Sequence, residues 1–267
     1  MDWSHFTAVR VDERDDRVVA TLHRPHVRNA IDQRMVDELH ELCAYLELNR
    51  RVLILAGYSN DSDGGVPVFA SGADIAELRD RRRDEGLRGI NAYLFHRIAR
   101  LPMPVIAAVD GYALGGGAEL AFAADFRIGT PRMRLGNPET SLGIMAAAGA
   151  TWRLKELVGE PLAKEILLAG RVLNGEECLS VRLITELVEP AELLHAAHRL
   201  ADRIGHQDPT AVQITKTVFR MPPAAHPEVD ALAQALLFES DAKFERMDAF
   251  LAKKRVKKAA KASPAAP

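Results

Sequence analysis

The chain has few cysteines, few aromatic residues and almost no net charge. Its 267 residues include two cysteines and 6% aromatic residues, and 37 acidic side chains nearly balance 35 basic ones. So small a charge gives no general attraction to nucleic acid or to an anionic membrane. Cys43 and Cys178 lie far apart without C-x-x-C spacing, so we expect reduced core thiols. These absences favour a ligand-binding or catalytic protein.

We expect no targeting segment, and long apolar runs are missing from the sequence. The N-terminal stretch MDWSHFTAVRVDERDD carries acidic residues early, without the apolar core of a signal peptide or the Arg/Ser-rich pattern of a transit peptide. The apolar run from Val105 to Val109 is much shorter than the roughly 20 residues of a membrane-spanning helix. We therefore expect a cytoplasmic protein with neither a membrane nor a nucleic-acid partner.

The first half of the chain alternates β-rich runs with helical periodicity. FTAVRV and RVVATL flank a polar turn and predict a hairpin, while RVLILAG and PVIAAVDG predict buried strands. A helix is predicted behind Asp32 as its N-cap, and further helices around a charged bend from Asp74 to Leu101. After about Gly129 only ITELVEP interrupts a series of helices as a strand. The pattern predicts an α/β core followed by a helical C-terminal third.

Three consecutive glycines follow a predicted strand in VIAAVDGYALGGGAEL. Dinucleotide binding needs a further glycine where Leu120 stands, and a P-loop needs Lys-Ser or Lys-Thr after the glycines; both motifs are absent. Two interpretations remain, namely close helix packing, or a helix N-terminus whose amides face an anion. The acidic residue Glu119 follows among alanines and leucines.

Two other stretches favour the interpretation with accessible amides. VFASGADIAEL places the small residues Ser71, Gly72 and Ala73 before another predicted helix, and two N–H donors from separate loops are what an oxyanion hole requires. GNPETSLGI adds Glu139 in a predicted loop. If Glu119 and Glu139 face one cavity, protons can be transferred on both sides of a substrate. Alone, each carboxylate is equally explained as a solvated charge or a helix cap.

Five motifs along the chain resemble those of the enoyl-CoA hydratase/isomerase (crotonase) superfamily, and its hydratases in particular. They are HRPHVRNAID, FASGADI, PVIAAVDGYALGGGAEL, GNPETSLGI and SDAKFERMDAFLAKK. The resemblance implies a crotonase (ClpP/crotonase-like) α/β spiral of ββα units over residues 1–195. It also implies a helical trimerisation region over 196–253, followed by a basic disordered tail over 254–267. The implied activity is hydration of trans-2-enoyl-CoA thioesters to 3-hydroxyacyl-CoA in fatty acid metabolism, in a homotrimer or a dimer of trimers.

The same resemblance assigns the site residues. The amides of Ala73 and Gly116 are implied to bind the thioester oxygen, and Glu119 and Glu139 to be the catalytic acids. Glu139 is expected to handle mainly the proton at C2, and Glu119 mainly the water. Coenzyme A is part of the substrate and no cofactor is implied. The residues implied to bind it are His26, Val27, Arg28, Ser71, Gly72, Asp74, Ile75 and Ala76, with Phe250 and Lys253 reaching the CoA of a neighbouring subunit.

One segment departs from the hydratase pattern. Where those enzymes usually have PGAGG-x-x-RL, this chain has alanine in place of the proline at Ala146 and of glycines at Ala147 and Ala150. We expect the added methyl groups to narrow the cavity or to move a backbone amide that helps to place the water. An enoyl-CoA isomerase, an acyl-CoA hydrolase and a non-catalytic acyl-CoA-binding protein are the alternatives. The presence of both acids favours a hydratase over an isomerase.

A metal site is not expected. His195 and His198 are three residues apart on a predicted helix, but no carboxylate or cysteine stands at matching spacing. A solvated helix face explains them. The charged stretch RDRRRDEGLR is expected to be a mobile segment beside the acyl end of the site.

Overall fold

The structure is a computed structural model that describes residues 1–58 and 66–262, with side chains up to residue 255. It divides into two compact units, Met1–His206 and Gln207–Pro267. The predicted core ends at residue 195, inside a helix of the first unit. Among the described residues, no helix is both long and apolar enough to cross a membrane.

The first unit contains two sheets. Its strands are β1 (Val9–Glu13), β2 (Arg17–Leu22), β3 (Val52–Gly57), β4 (Val68–Ala70), β5 (Val105–Val109), β6 (Tyr112–Leu114), β7 (Phe126–Gly129), β8 (Arg134–Gly136), β9 (Val172–Asn174) and β10 (Glu186–Leu187). The larger sheet has the order β1-β2-β3-β5-β7-β10, and the smaller has the order β4-β6-β8-β9. All neighbours are parallel except the pairs β1/β2 and β8/β9.

From β3 to β8, consecutive strands alternate between the two sheets. β3, β5 and β7 belong to the larger sheet, and the strands that follow them, β4, β6 and β8, belong to the smaller one. Helices follow β4 and β6 and return the chain to the larger sheet. This repetition of two strands and a helical segment is the ββα spiral that the sequence predicts. It brings the C-terminal ends of β4 and β6 to the same edge of the smaller sheet.

Nine helices are described in the first unit. They are α1 (Gln33–Leu48), α2 (Ile75–Asp80), α3 (Arg83–Arg88), α4 (Ile90–Ala99), α5 (Gly116–Ala123), α6 (Ala150–Val158), α7 (Glu160–Ala169), α8 (Gly175–Ser180) and α9 (Leu193–Gly205). The predicted cap of α1 is confirmed, because Asp32 Oδ1 accepts a hydrogen bond from Met35 N at 2.9 Å. Cys43 and Cys178 are free and buried, and burial raises the pKa of both thiols to about 12.

The prediction of a single strand after Gly129 is wrong. β8 and β9 also lie there, and each has three residues. So short a strand cannot show the period-two alternation by which strands are identified in a sequence. The hairpin β1/β2 and the buried strands β3 and β5 are confirmed. Each of these strands has five or six residues, which is long enough for its pattern to be identified in the sequence.

The second unit contains α10 (Pro209–Phe219), α11 (Glu228–Phe238) and α12 (Asp241–Ala262). The long helix predicted from Pro227 to Lys253 is therefore interrupted. Ser240 marks the break, where its hydroxyl donates to Leu237 O at 2.7 Å and accepts from Lys243 N at 3.3 Å. Of the tail predicted to be disordered, residues 254–262 continue α12, and residues 263–267 lie outside the described residues.

Candidate active site

A cavity of about 310 Å³ in the first unit collects half of the predicted site residues. Those that line it are Ser71, Gly72, Ala73, Ile75, Gly116, Glu119 and Glu139. Much of the remaining wall is apolar, formed by Leu78, Ile90, Leu114, Leu142, Ile144, Met145 and Ala147. The two acids and the two residues whose amides are predicted to form the oxyanion hole thus line one space, and the shared cavity of the acids is the condition stated above for proton transfer on both sides of a substrate.

Two loops from neighbouring strands bring the amides together. β4 and β6 are parallel, so the chain leaves both strands at the same edge of the small sheet. If residue 116 had a β-carbon, that atom would lie 3.4 Å from the nitrogen of Ala73. The residues on either side of Ala73 form the hydrogen bonds to Ile31, from Ile31 N to Gly72 O and from Asp74 N to Ile31 O. The N–H of Ala73 therefore points away from that bridge.

The adjacent glycine explains how α5 comes so close. A β-carbon on Gly117 would lie 2.1 Å from the carbonyl oxygen of Ala70, which no side chain can tolerate. Helix α5 therefore packs directly onto the end of β4. Both interpretations of the glycine cluster apply, since Gly117 allows close packing while Gly116, at the first position of α5, has an N–H without an intrahelical acceptor.

Glu119 lies in the first turn of α5 and is 3% exposed. Its Oε1 accepts two backbone hydrogen bonds, from Ala148 N at 2.7 Å and from Ala150 N at 3.0 Å. Burial raises the pKa of Glu119 to about 7; the two amides oppose this shift, and the charge of Glu139 adds to it. A carboxyl group with this pKa exchanges protons readily near neutral pH.

Glu139 begins a 3-10 turn, Glu139–Leu142, after the strand β8. Its Oε1 accepts a hydrogen bond from Asn137 Nδ2 at 3.3 Å, whereas Oε2 is buried without a partner among the described residues. Burial raises the pKa of this carboxyl group as well. Asn137 Nδ2 also lies 3.2 Å from Gly115 O, so one amide group connects Glu139 to the loop before α5.

The alanine segment, residues 146–150, donates backbone hydrogen bonds to the side chain of Glu119. Ala148 and Ala150 supply both hydrogen bonds to that side chain. Of the residues from 146 to 150, Gly149 is the one with a positive φ, at +131°, so the conformation that disfavours side chains falls where glycine is retained. Ala146 and Ala150 are buried outside the cavity wall, and Ala147 lines the wall. Of the three substituted positions, Ala147 is therefore the one whose methyl group adjoins the cavity.

The predicted CoA-binding segments are only partly in the cavity wall. His26 and Val27 lie in a 3-10 turn and Arg28 follows it; none of the three lines the cavity. This turn is nevertheless joined to the cavity loop, because Ser71 N donates to Arg28 O at 3.2 Å. The neighbouring Asn29 is fully buried and its Nδ2 donates to Val68 O at 2.9 Å, a contact that the sequence did not predict.

Four predicted residues lie elsewhere. Asp74 caps α2 through a 3.0 Å hydrogen bond from Ala76 N and forms an ion pair of 3.6 Å with Arg24; neither Asp74 nor Ala76 lines the cavity. Phe250 and Lys253 lie on α12 in the second unit, and both are exposed.

Two asparagines beside the cavity were not predicted from the sequence. Asn137 precedes the recognised PE motif, and its buried carboxamide holds Glu139. Asn91, in the first turn of α4, lines the cavity directly. A polar residue at the start of an amphipathic helix normally indicates a solvated position, so the sequence offered no signal for Asn91.

Comparisons with known proteins agree with this geometry. The sequence profile of the enoyl-CoA hydratase/isomerase family matches residues 15–258. The short-chain-enoyl-CoA hydratase of Clostridium acetobutylicum is 34% identical over 91% of this chain and 95% of its own, and the crotonyl-CoA hydratase of Syntrophomonas wolfei is 32% identical over 92% and 95%. A crystal structure of an enoyl-CoA hydratase from Bacillus anthracis matches with a TM-score of 0.85 and 29% identity, over 92% of this chain and 97% of that one. The expected crotonase fold is thereby confirmed, and the chain belongs to the enoyl-CoA hydratase/isomerase family.

Proposed function

We propose that this protein adds water across the double bond of trans-2-enoyl-CoA thioesters to give 3-hydroxyacyl-CoA. The observation that carries the proposal is that Glu119 and Glu139 line the same cavity as the amides of Ala73 and Gly116. The relatives named as hydratases, at 34% and 32% identity, support the same reaction class. Coenzyme A is part of the substrate, and the proposed reaction transfers only the elements of water.

In this proposal the two amides polarise the substrate. The thioester oxygen accepts hydrogen bonds from Ala73 N and Gly116 N, which makes C3 electrophilic. As the oxygen of water bonds to C3, the electron pair of the double bond moves towards the thioester, and negative charge develops on its oxygen. Donors already aimed at that oxygen stabilise the charge without reorganisation, which is the general advantage of an oxyanion hole.

The two carboxyl groups complete the addition. Glu119 accepts a proton from the attacking water, and Glu139 supplies the proton that bonds to C2. Glu119 Oε1 is already occupied by two backbone amides, which leaves Oε2 for the water. Glu139 Oε2 has no partner among the described residues, so it is the oxygen from which a proton is delivered to the substrate. The raised pKa of both groups suits reversible proton transfer.

The same proposal extends to the CoA arm and to assembly. The turn from His26 to Arg28, joined to the loop that begins at Ser71, is proposed to hold CoA, with Phe250 and Lys253 reaching the CoA of another subunit. A homotrimer or a dimer of trimers is supported by large apolar side chains exposed on α11 and α12, namely Leu232, Leu236, Phe238, Phe244, Met247, Phe250 and Leu251. Light scattering in solution should give three or six times 29.3 kDa. The cytoplasm remains the expected compartment.

The decisive experiment follows the conjugated thioester absorbance after purified protein is mixed with crotonyl-CoA and with medium- and long-chain trans-2-enoyl-CoA. We expect saturable loss of the absorbance and formation of 3-hydroxyacyl-CoA, which mass spectrometry identifies by the added mass of water. A Glu119→Gln/Glu139→Gln double variant serves as the matched control, because it keeps the side-chain shapes but removes both acids. Binding of the thioesters without turnover at any chain length would overturn the proposal in favour of an acyl-CoA-binding protein. Formation of a shifted double bond or of free CoA would favour an isomerase or a hydrolase.

A further inference from the structure

Asn91 is a polar side chain in a mostly apolar part of the cavity wall. It lies in the first turn of α4, directly after Gly89, where the chain turns from α3 into α4. Its neighbours in the wall include Ile90 and Ala92. Nothing in the family motifs of this chain assigns it a role, and the two proposed acids and two proposed amides account for hydration without it.

The carboxamide of Asn91 lies at the part of the cavity where the thioester oxygen is proposed to bind. A β-carbon at residue 116 would lie 3.4 Å from Ala73 N and 3.6 Å from Asn91 Nδ2, so the side-chain nitrogen lies near the proposed oxyanion amides. Asn91 Oδ1 is buried and has no hydrogen-bond partner among the described residues. This atom is an acceptor, so the thioester oxygen, itself an acceptor, does not satisfy it; a donor from the ligand or a water molecule would.

We propose that Asn91 is a third hydrogen-bond donor to the thioester oxygen, with Nδ2 acting beside the amides of Ala73 and Gly116. This inference rests on the proposed function, because the charge that it stabilises is the one that develops on the thioester oxygen during hydration. A carboxamide donates without carrying a charge, so it adds to the stabilisation of the oxyanion without forming an ion pair with Glu119 or Glu139. The other two donors are backbone amides, which side-chain substitution does not remove, whereas the donor of Asn91 can be removed by mutation.

The test compares two variants, Asn91→Leu and the isosteric Asn91→Asp. Leucine removes all hydrogen bonding, and aspartate keeps an acceptor while replacing the donor. The first readout is the absorbance of bound dimethylaminocinnamoyl-CoA, a conjugated thioester whose spectrum moves to longer wavelength when its carbonyl is polarised. The second readout is kcat and KM for crotonyl-CoA. Tyr93→Phe is the matched control, because Tyr93 lies on the same helix, is 67% exposed and is outside the cavity wall.

We expect both Asn91 variants to lose a large part of the spectral shift and to lower kcat by about 100-fold, the usual effect of deleting one oxyanion donor. KM should change by less than about 3-fold, since the interaction strengthens mainly as charge develops. Tyr93→Phe should keep the wild-type shift and kcat. Circular dichroism and thermal unfolding identify any variant that fails to fold, and the other variant then decides.

The outcomes separate this inference from the proposed function. A full spectral shift and an unchanged kcat in Asn91→Leu would show that Asn91 only packs against its neighbours, and would leave the hydratase proposal intact. A shift retained in Asn91→Asp but lost in Asn91→Leu would assign the role to Oδ1 as an acceptor and overturn the donor proposal. Wild-type protein that binds the probe without any shift would contradict the oxyanion hole itself, and Asn91 with it.

Discussion

Glu119 and Glu139 line the same cavity but are held in different ways. Glu119 lies on a helix, is 3% exposed and has one oxygen bound by two backbone amides. Glu139 lies in a 3-10 turn, and among the described residues the side chain that donates to it is that of Asn137, at 3.3 Å. The backbone thus fixes one carboxyl group, whereas a side chain positions the other.

This difference suits two different tasks. A carboxyl group that holds a water molecule must keep one orientation, and two amide donors on one oxygen leave the other oxygen in a defined direction. A group that transfers a proton to carbon benefits from an oxygen without competing partners, as Glu139 Oε2 has among the described residues. The contrast therefore supports the division in which Glu119 handles the water and Glu139 the proton at C2, and it generates the predictions that follow.

The largest effect is expected from Glu139→Gln. The substitution preserves the shape of the side chain but removes the proton that is delivered to C2, so kcat for crotonyl-CoA should fall by about 10³-fold or more. Affinity for acyl-CoA, measured by titration calorimetry with a saturated thioester, should stay within about 3-fold, because the side chain is not proposed to hold CoA. A rate near that of the wild type would remove Glu139 from the mechanism.

Glu119→Gln should lower kcat too, but its distinctive effect is on stability. The pKa of Glu119 is raised from 4.5 to about 7, so the folded state favours the protonated form. The wild type therefore loses stability relative to the glutamine variant as pH rises from about 4.5 through about 7, and the full difference is present above that range. A shift of this size corresponds to about 3 kcal/mol in favour of the variant once the pH lies above the raised pKa.

Urea unfolding of both proteins in acidic and in mildly alkaline buffer measures this difference. Near-equal midpoints are expected below the lower pKa, where both side chains are neutral, and a higher midpoint for the variant above the raised pKa. Glutamine retains an oxygen that accepts from Ala148 N and Ala150 N, so the hydrogen bonds themselves are preserved. A stability difference that does not change with pH would mean that Glu119 ionises freely, and the contrast with Glu139 would then lose its electrostatic basis.

The sequence predicted the larger features of the fold and fewer of the details of the site. The hairpin, the buried strands β3 and β5 and the cap at Asp32 were readable because periodicity and capping are local signals. From the sequence, a shared cavity for Glu119 and Glu139 could only be assumed, because the two residues are twenty positions apart and their proximity depends on tertiary structure. The structure places both in the wall of one cavity.

Other features were missed or misjudged in the sequence. The break at Ser240 falls in a polar stretch, and the serine hydroxyl accepts from Lys243 N as an N-cap of α12, a signal that the amphipathic pattern on both sides obscured. The alanine segment suggested a disturbed water site because side chains were compared without knowledge of φ. The structure places the positive φ at Gly149 alone within that segment, so alanine is tolerated at its neighbours. Substitution patterns become interpretable only when the backbone conformation is known.

A smaller effect is expected when the support of Glu139 is weakened. Asn137→Ala should lower kcat by about 10-fold with little change in KM, because Asn137 positions Glu139 without being proposed to touch the substrate. Asn137→Asp should be more damaging, since a second negative charge would raise the pKa of Glu139 further and move the pH profile of turnover upward. If both variants keep the wild-type profile, the single hydrogen bond does not position Glu139 and the contrast with Glu119 disappears.

The smallest effect is expected on the Glu119 side, from Ala147→Gly, which restores the usual family glycine. Ala147 has a negative φ and donates no hydrogen bond to Glu119, so the amides of Ala148 and Ala150 should keep their positions. We expect turnover of crotonyl-CoA to change by less than about 3-fold, with a loss of about 0.5–1 kcal/mol in the free energy of unfolding, because glycine increases the entropy of the unfolded chain. Kinetics across chain lengths and urea unfolding measure the two effects. Markedly faster turnover than in the wild type, above all with long acyl chains, would show that the methyl group of Ala147 obstructs the cavity, and that the backbone support of Glu119 was retained at the expense of substrate range.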